Sequence, residues 1–167
     1  MANVDKAYGF RLFKTSGKQP IATKYVKTTG AAIYPGDAVK VVAAGTVSKY
    51  ADGDGVGVLG VAAEYAASAS DEVWVYDDPD YIFECQITTF AAADVGLNTD
   101  IGADSPDADL RYSGNELDAG ANDVTATLPF KILGLSPKPG NEVGANADVL
   151  VKINQHVLGG GTGATGI

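Results

Sequence analysis

From about residue 23 the chain alternates apolar and polar residues in short runs, and turn-forming residues cut each run short. TKYVKT, starting at Thr23, has the period of two that sends successive side chains to opposite faces of a strand. YPGD at Tyr34 to Asp37 is a turn, with proline set for the second position and glycine after it. AVKVV follows, and Ala43-Ala44-Gly45 closes a tight hairpin into TVSKY. ADGDG at 51–55 is a further turn. In VGVLGVAAEY, Gly57 and Gly60 predict a bulge or a close approach of backbone. VWVYDD and YIFECQIT are the next strands, the second being the longest candidate. Trp74 and Tyr76 share one face, which reads as core or interface; Phe83 and Cys85 share another. Strands recurring about every 8 to 12 residues between turn signals point to a small barrel or sandwich.

TTFAAADVGLN predicts a short helix, capped by Thr88 or Thr89 and stopped by Gly96. Residues 98–126 are polar and turn-rich, with RYSGNELD read as a small hairpin around Ser113-Gly114-Asn115. A structureless stretch of that length is unusual within a compact domain, so it reads as an insertion, either functional or ordered in its own right. The core pattern resumes in TLPFKILGLSP and in ADVLVKINQHVL. The expected fold is therefore mainly β: a small barrel or sandwich of about seven to nine strands with one short helix. Residues 1–20 form an extended arm, 21–158 the domain, and the glycine-rich 159–167 a flexible tail.

Charge separates the arm from the body. The net charge is −9, yet residues 1–27 carry +5 and the remainder −14. An acidic body excludes nucleic acid as the body's ligand, and the arm's charges are too dispersed for a DNA site. A basic arm suits an acidic protein surface. Phe10, Leu12 and Phe13 lie among the arm's charges, and Phe10 and Leu12 alternate with Arg11, as in an extended segment laid on its own domain or on a neighbour. MANVDKAYGF has no apolar core of a signal peptide, and no run approaches the roughly 18 apolar residues of a membrane span, so synthesis in a cytoplasm and no membrane partner are expected.

Candidate chemistry is thin. The single cysteine, Cys85, excludes an internal disulfide and a cysteine-based zinc site. It reads as a small buried residue, and the single histidine, His156, as structural or solvent-facing. DGDG at 52–55 resembles a calcium loop, but in register from Asp52 the fifth position is Val56 and the twelfth Ala63, so the ligand set fails. GVGVLG at 55–60 has a dinucleotide-loop spacing inside a strand-like run, without the βαβ unit that gives it meaning. Asp77, Asp78 and Asp80 around Pro79 read as a solvated turn that also guards an apolar strand against edge pairing. Asp104, Asp107 and Asp109 read as a solvated loop. No catalytic residue, metal ligand or cofactor is expected.

The order of these signals resembles the head decoration, or cement, proteins of tailed bacteriophages. The resemblance rests on Gly9-Phe10-Arg11, PGDAV at 35–39, GTV at 45–47, VGVLGVAAE at 56–64 and VWVYDDPDYIFECQ at 73–86. It covers roughly residues 8–90, more weakly 128–155, and does not reach 98–126. It implies a compact β-barrel on the outer surface of the virion head that cements adjacent major capsid proteins. The implied partners are the major capsid protein and further copies of the chain, a trimer before a dimer. Phe10, Arg11, Leu12, Phe13 and Lys14 are the expected contacts to capsid or neighbouring subunit. Two other classes stay open: a head-fibre or tail module that reads a host glycan through Tyr65, Tyr81 and Tyr112, and a hydrolase built on the aspartates.

Overall fold

The computed structural model describes residues 3–15, 17, 19–54, 57–102, 105–160, 163, 165 and 166. Among the described residues eleven strands form two sheets: β1 (Arg11–Lys14), β2 (Thr23–Val26), β3 (Ala38–Val41), β4 (Val47–Lys49), β5 (Val58–Ala62), β6 (Glu72–Tyr76), β7 (Ile82–Phe90), β8 (Asn98–Ile101), β9 (Leu117–Asp123), β10 (Phe130–Leu135) and β11 (Gly144–Ile153). The first sheet runs β1-β7-β11-β10-β8-β9, and β9 returns to β7 through Ile87 and Leu117, closing a five-strand barrel with β1 outside it. The second runs β2-β6-β5-β3-β4, with a bridge from Lys27 to Val47 drawing its two ends together. The mainly β class is as the alternation predicts.

Alternation also explains the two cores. On β7, Phe83, Cys85 and Ile87 face inward with Ala147, Val149 and Val151 of β11 and Phe130 and Ile132 of β10. On β6, Val73 and Val75 face a second cluster with Ile33, Val39, Val47 and Leu59, while Trp74 points out. Strand β5 is buried on both faces and joins them: Val58 and Val61 belong to the first cluster, Leu59 and Ala62 to the second. Strict alternation would set Val58 and Val61 on opposite faces. A bulge restores the pattern, since Val39 pairs with Gly60 but Lys40 with Val58. At Gly60 a Cβ would lie 2.2 Å from the Tyr76 carbonyl oxygen. The predicted close approach is therefore real at this glycine.

Several expectations need correction. The helix at 88–98 is absent: β7 runs on through the β-branched Thr88 and Thr89 to the buried Phe90, and only a single 3-10 turn at Ala92–Asp94 follows. Asp94 accepts the Ala91 N–H at 2.7 Å, a side-chain bond that favours the turn over a helix. Residues 98–126 are no insertion, because β8 and β9 complete the barrel and Ile101 and Leu117 are core. Ser113-Gly114-Asn115 is not a hairpin tip; Ser113 and Asn115 are fully buried. The strand number exceeds seven to nine because of these strands and β1. The tail lies partly on the body: Gly166 donates to Val124 at 2.9 Å, and Lys131 Nζ to Thr165 at 2.9 Å. Its residues 161, 162, 164 and 167 lie outside the described residues.

Gly60→Ala forces a Cβ against rigid backbone. A loss of about 1–3 kcal/mol is expected from urea unfolding, and an unchanged midpoint would count against the bulge geometry.

Candidate interaction site on the N-terminal arm

The arm is fastened at three levels. Asn3 donates to the Glu142 and Ala145 carbonyls and accepts the Glu142 N–H. Gln86 then clasps the backbone, accepting the Lys6 N–H at 3.0 Å and donating to the Val4 carbonyl at 2.9 Å. The Tyr8 hydroxyl sits between two carboxylates, 2.9 Å from Glu84 Oε1 and 2.7 Å from Asp148 Oδ1. Burial first, then the bond to Asp148, raises the Tyr8 pKa far beyond the ordinary phenol range, so the hydroxyl keeps its proton. Ser136 Oγ donates to the other oxygen of Glu84, and the Lys138 ammonium pairs with both carboxylates. Each acid therefore has several donors, as a lock requires.

Past Tyr8 the chain turns inward. Gly9 has φ +74°, and a Cβ there would lie 2.4 Å from Ser113 Cβ and 2.6 Å from the Gly36 carbonyl oxygen. Glycine is the residue that permits both the left-handed backbone and the contact. The Phe10 N–H then donates to the Gly36 carbonyl at 2.8 Å. Gly9-Phe10 and Pro35-Gly36-Asp37, distant in sequence, are thus one junction. Asp37 is buried, accepts the Tyr34 N–H at 2.9 Å and pairs with Lys49 at 3.2 Å.

The five expected contact residues separate. Phe10 is only 2% exposed, stacked on Phe130 at 4.6 Å and edge-on to Phe83 at 6.5 Å. Its ring is core and has no surface to offer a partner, which corrects its place among the contacts. Leu12 is half-buried against the same core. Arg11, Phe13 and Lys14 face outward on β1, an edge strand bonded only to β7, and Phe13 is 46% exposed. Arg11 lies over the Tyr8 ring at 3.8 Å. None of Lys6, Arg11 and Lys14 forms an ion pair with a described residue. Beside them lies a groove of about 500 Å³ lined by Lys6, Tyr8, Arg11, Leu12, Ala63 and Tyr112 among others.

The other candidates resolve into structure. Asp77-Asp78-Pro79-Asp80 is a turn: Asp78 Oδ1 accepts the Asp80 N–H at 2.8 Å, and Asp80 pairs with Lys152. Asp77 instead accepts from Thr23 Oγ1 and from the Tyr25 hydroxyl at 2.7 Å, and burial with this bond pushes Tyr25 up to about 12. Asp54 closes its own turn on the Ala51 N–H and pairs with Lys40. Asp107 closes a turn on Leu110, Asp109 is exposed, and Asp104 lies outside the described residues. Among the described residues no group of three potential metal ligands assembles. Cys85 is buried, and that burial pushes its thiol up. Tyr81 is buried and bonded to the backbone of Ile21, so it is not an exposed sugar platform; Tyr65 and Tyr112 are half-buried. His156 proves to be buried.

The Tyr8–Glu84–Asp148 lock was missed in the sequence. Its signal was a charged residue at an outward position of two otherwise apolar strands, Glu84 and Asp148, which alternation alone reads as solvent-facing.

No protein-family model matches this chain, and neither do any of the curated proteins or solved structures it was compared with.

Phe10→Ala should destabilise by about 3–5 kcal/mol in chemical unfolding. Phe13→Ala should stay within about 0.5 kcal/mol of the parent. Equal losses would refute the inward and outward assignment. Tyr8→Phe removes a donor between two acids and should cost about 1–3 kcal/mol, seen as a lower unfolding midpoint with β1 amides exchanging first.

Proposed function

We propose that this chain is a capsid decoration protein, a structural virion component that binds the outer surface of an icosahedral phage head and cements adjacent major capsid proteins. The observation that carries the reading is the arm. Arg11, Phe13 and Lys14 stand outward on an edge strand, with two cations lacking ion-pair partners among the described residues and one large apolar side chain between them. Phe10 and Tyr8 fix the same strand from within. A surface held this firmly loses little conformational freedom on docking, which favours tight binding. The order of motifs from Gly9 to Gln86 supports the same family of function. The role is structural rather than catalytic, with homo-oligomer formation, a trimer first, as part of it.

The test is cosedimentation of the purified protein with matching DNA-free capsids. Saturable binding that raises the temperature of capsid disruption is expected. Arg11→Glu, Phe13→Ser and Lys14→Glu combined should abolish binding while shifting the protein's own stability by no more than about 1–2 kcal/mol. Absence of binding by folded wild-type protein would overturn the reading and favour the fibre or tail module, assayed by adsorption to host cells. Deletion of residues 1–20 is an unsuitable test, because it removes Phe10 from the core.

A further inference from the structure

His156 stands where the body hands over to the tail. Its backbone bridges to Val58 of β5, and its side chain caps the 3-10 turn at Val157–Gly159. Nδ1 accepts the Leu158 N–H at 3.1 Å. An imidazole nitrogen that accepts carries no proton, so in the neutral ring the proton resides on Nε2. That Nε2 is buried and makes no close hydrogen bond, although a backbone contact with Asp77 favours the charged ring. The residue is 3% exposed. Gly159 folds back between His156 and Pro79, with a Cβ there meeting both at 3.3 Å. The Asp77–Asp80 turn thus closes over the histidine and the turn it caps.

We propose that His156 is an acid-sensitive latch for the C-terminal tail, closed when the ring is neutral and opened when Nδ1 takes a proton. A proton on Nδ1 sets two donors, the ring N–H and the Leu158 N–H, against each other. The cap is lost, and a charged ring is left in a site that is almost wholly buried. Opening the turn frees the Leu158 N–H and loosens the turn at Val157–Gly159.

The surrounding charges act in both directions. From the turn between β6 and β7, Asp77 and Asp78 favour the charged ring; Asp80 is engaged by Lys152. From β11, Lys152 disfavours it. Lys131 of β10 lines, with His156, Pro79, Lys152 and Gly159, a cavity beside the ring. Val58 of β5 brings no charge. Burial is the largest influence and holds the ring's pKa below the ordinary 6.5. The folded form therefore binds the proton less well than the open form. The latch's stabilisation is complete above about 6.5 and is lost as pH falls below it.

As the sole histidine, His156 gives one unambiguous imidazole resonance. The experiment follows that resonance and residue-resolved amide exchange in the full chain from pH 8 to pH 5. After correction for intrinsic exchange, protection at Leu158 and Gly159 should fall by up to about tenfold per pH unit below 6.5. The fall should begin at about 6.5, ahead of the closed-state imidazole titration, and level off once that resonance has titrated, while the amides of Phe83 and Val149 stay protected. In His156→Asn the side-chain carbonyl caps the same N–H without titrating, so protection should be flat over this range. Protection that stays flat from pH 8 down through the imidazole titration in the wild type overturns the proposal. So does a His156→Asn protein that loses protection at the same midpoint. A variant that fails to fold leaves the wild-type comparison to decide.

Discussion

Asn115 is the buried polar joint on which the two sheets and the arm depend. It is fully buried. Its side-chain oxygen accepts the Ala38 N–H of β3 at 3.0 Å, and its own carbonyl accepts the Gly9 N–H at 3.2 Å and faces Cys85 Sγ at 3.7 Å. One residue thereby satisfies backbone from the second sheet and from the arm while touching the barrel core. An unpaired amide in such a place costs about 1–3 kcal/mol, so each partner fixes the others. Ser113 completes the joint, donating its N–H to Pro35 and accepting the Asn115 N–H. The loop that carries these residues is polar because it is a hydrogen-bonded wedge between elements.

That joint explains why the arm cannot be considered apart from the barrel. Its glycine crosses the Pro35-Gly36 turn, its phenylalanine fills the barrel, and its tyrosine locks onto β7 and β11. Only then does the chain lay β1 along the barrel's edge, presenting Arg11, Phe13 and Lys14. The backbone of the basic face that carries the proposed function is thus tied to the core beneath it. Toward the opposite end of the chain, His156 caps the turn at Val157–Gly159. The arm is held by burial and several charge-assisted bonds, whereas the described contacts beyond His156 are hydrogen bonds of Thr165 with Lys131 and of Gly166 with Val124.

Much of this was legible in the sequence because it is local. Period-two alternation fixed the strands and, on β6 and β7, which residues face inward. The turn chemistry of YPGD, AAG and DDPD placed the reversals, and Gly60 marked a bulge. The failed ligand spacing from Asp52 removed a calcium loop by counting alone. The division of charge between a basic arm and an acidic body is likewise read from the sequence by counting.

What only the tertiary structure decided were the partners of residues far apart. Phe10 is core because Phe130 and Phe83 complete its pocket, a fact that no pattern within GFRLFK contains. Residues 98–126 read as polar because their buried members, Asn98, Thr99, Asp100, Ser113 and Asn115, are hydrogen-bonded rather than apolar. Hydropathy measures what a side chain prefers when alone, and cannot see a partner supplied from elsewhere in the chain. Thr88 and Thr89 went to a strand because β11 was there to pair with Thr89 and its neighbours, and tertiary pairing outweighs a weak capping signal. The sequence dictated the strands and their faces; which loops became walls and which side chains remained free to bind awaited the closing of the barrel.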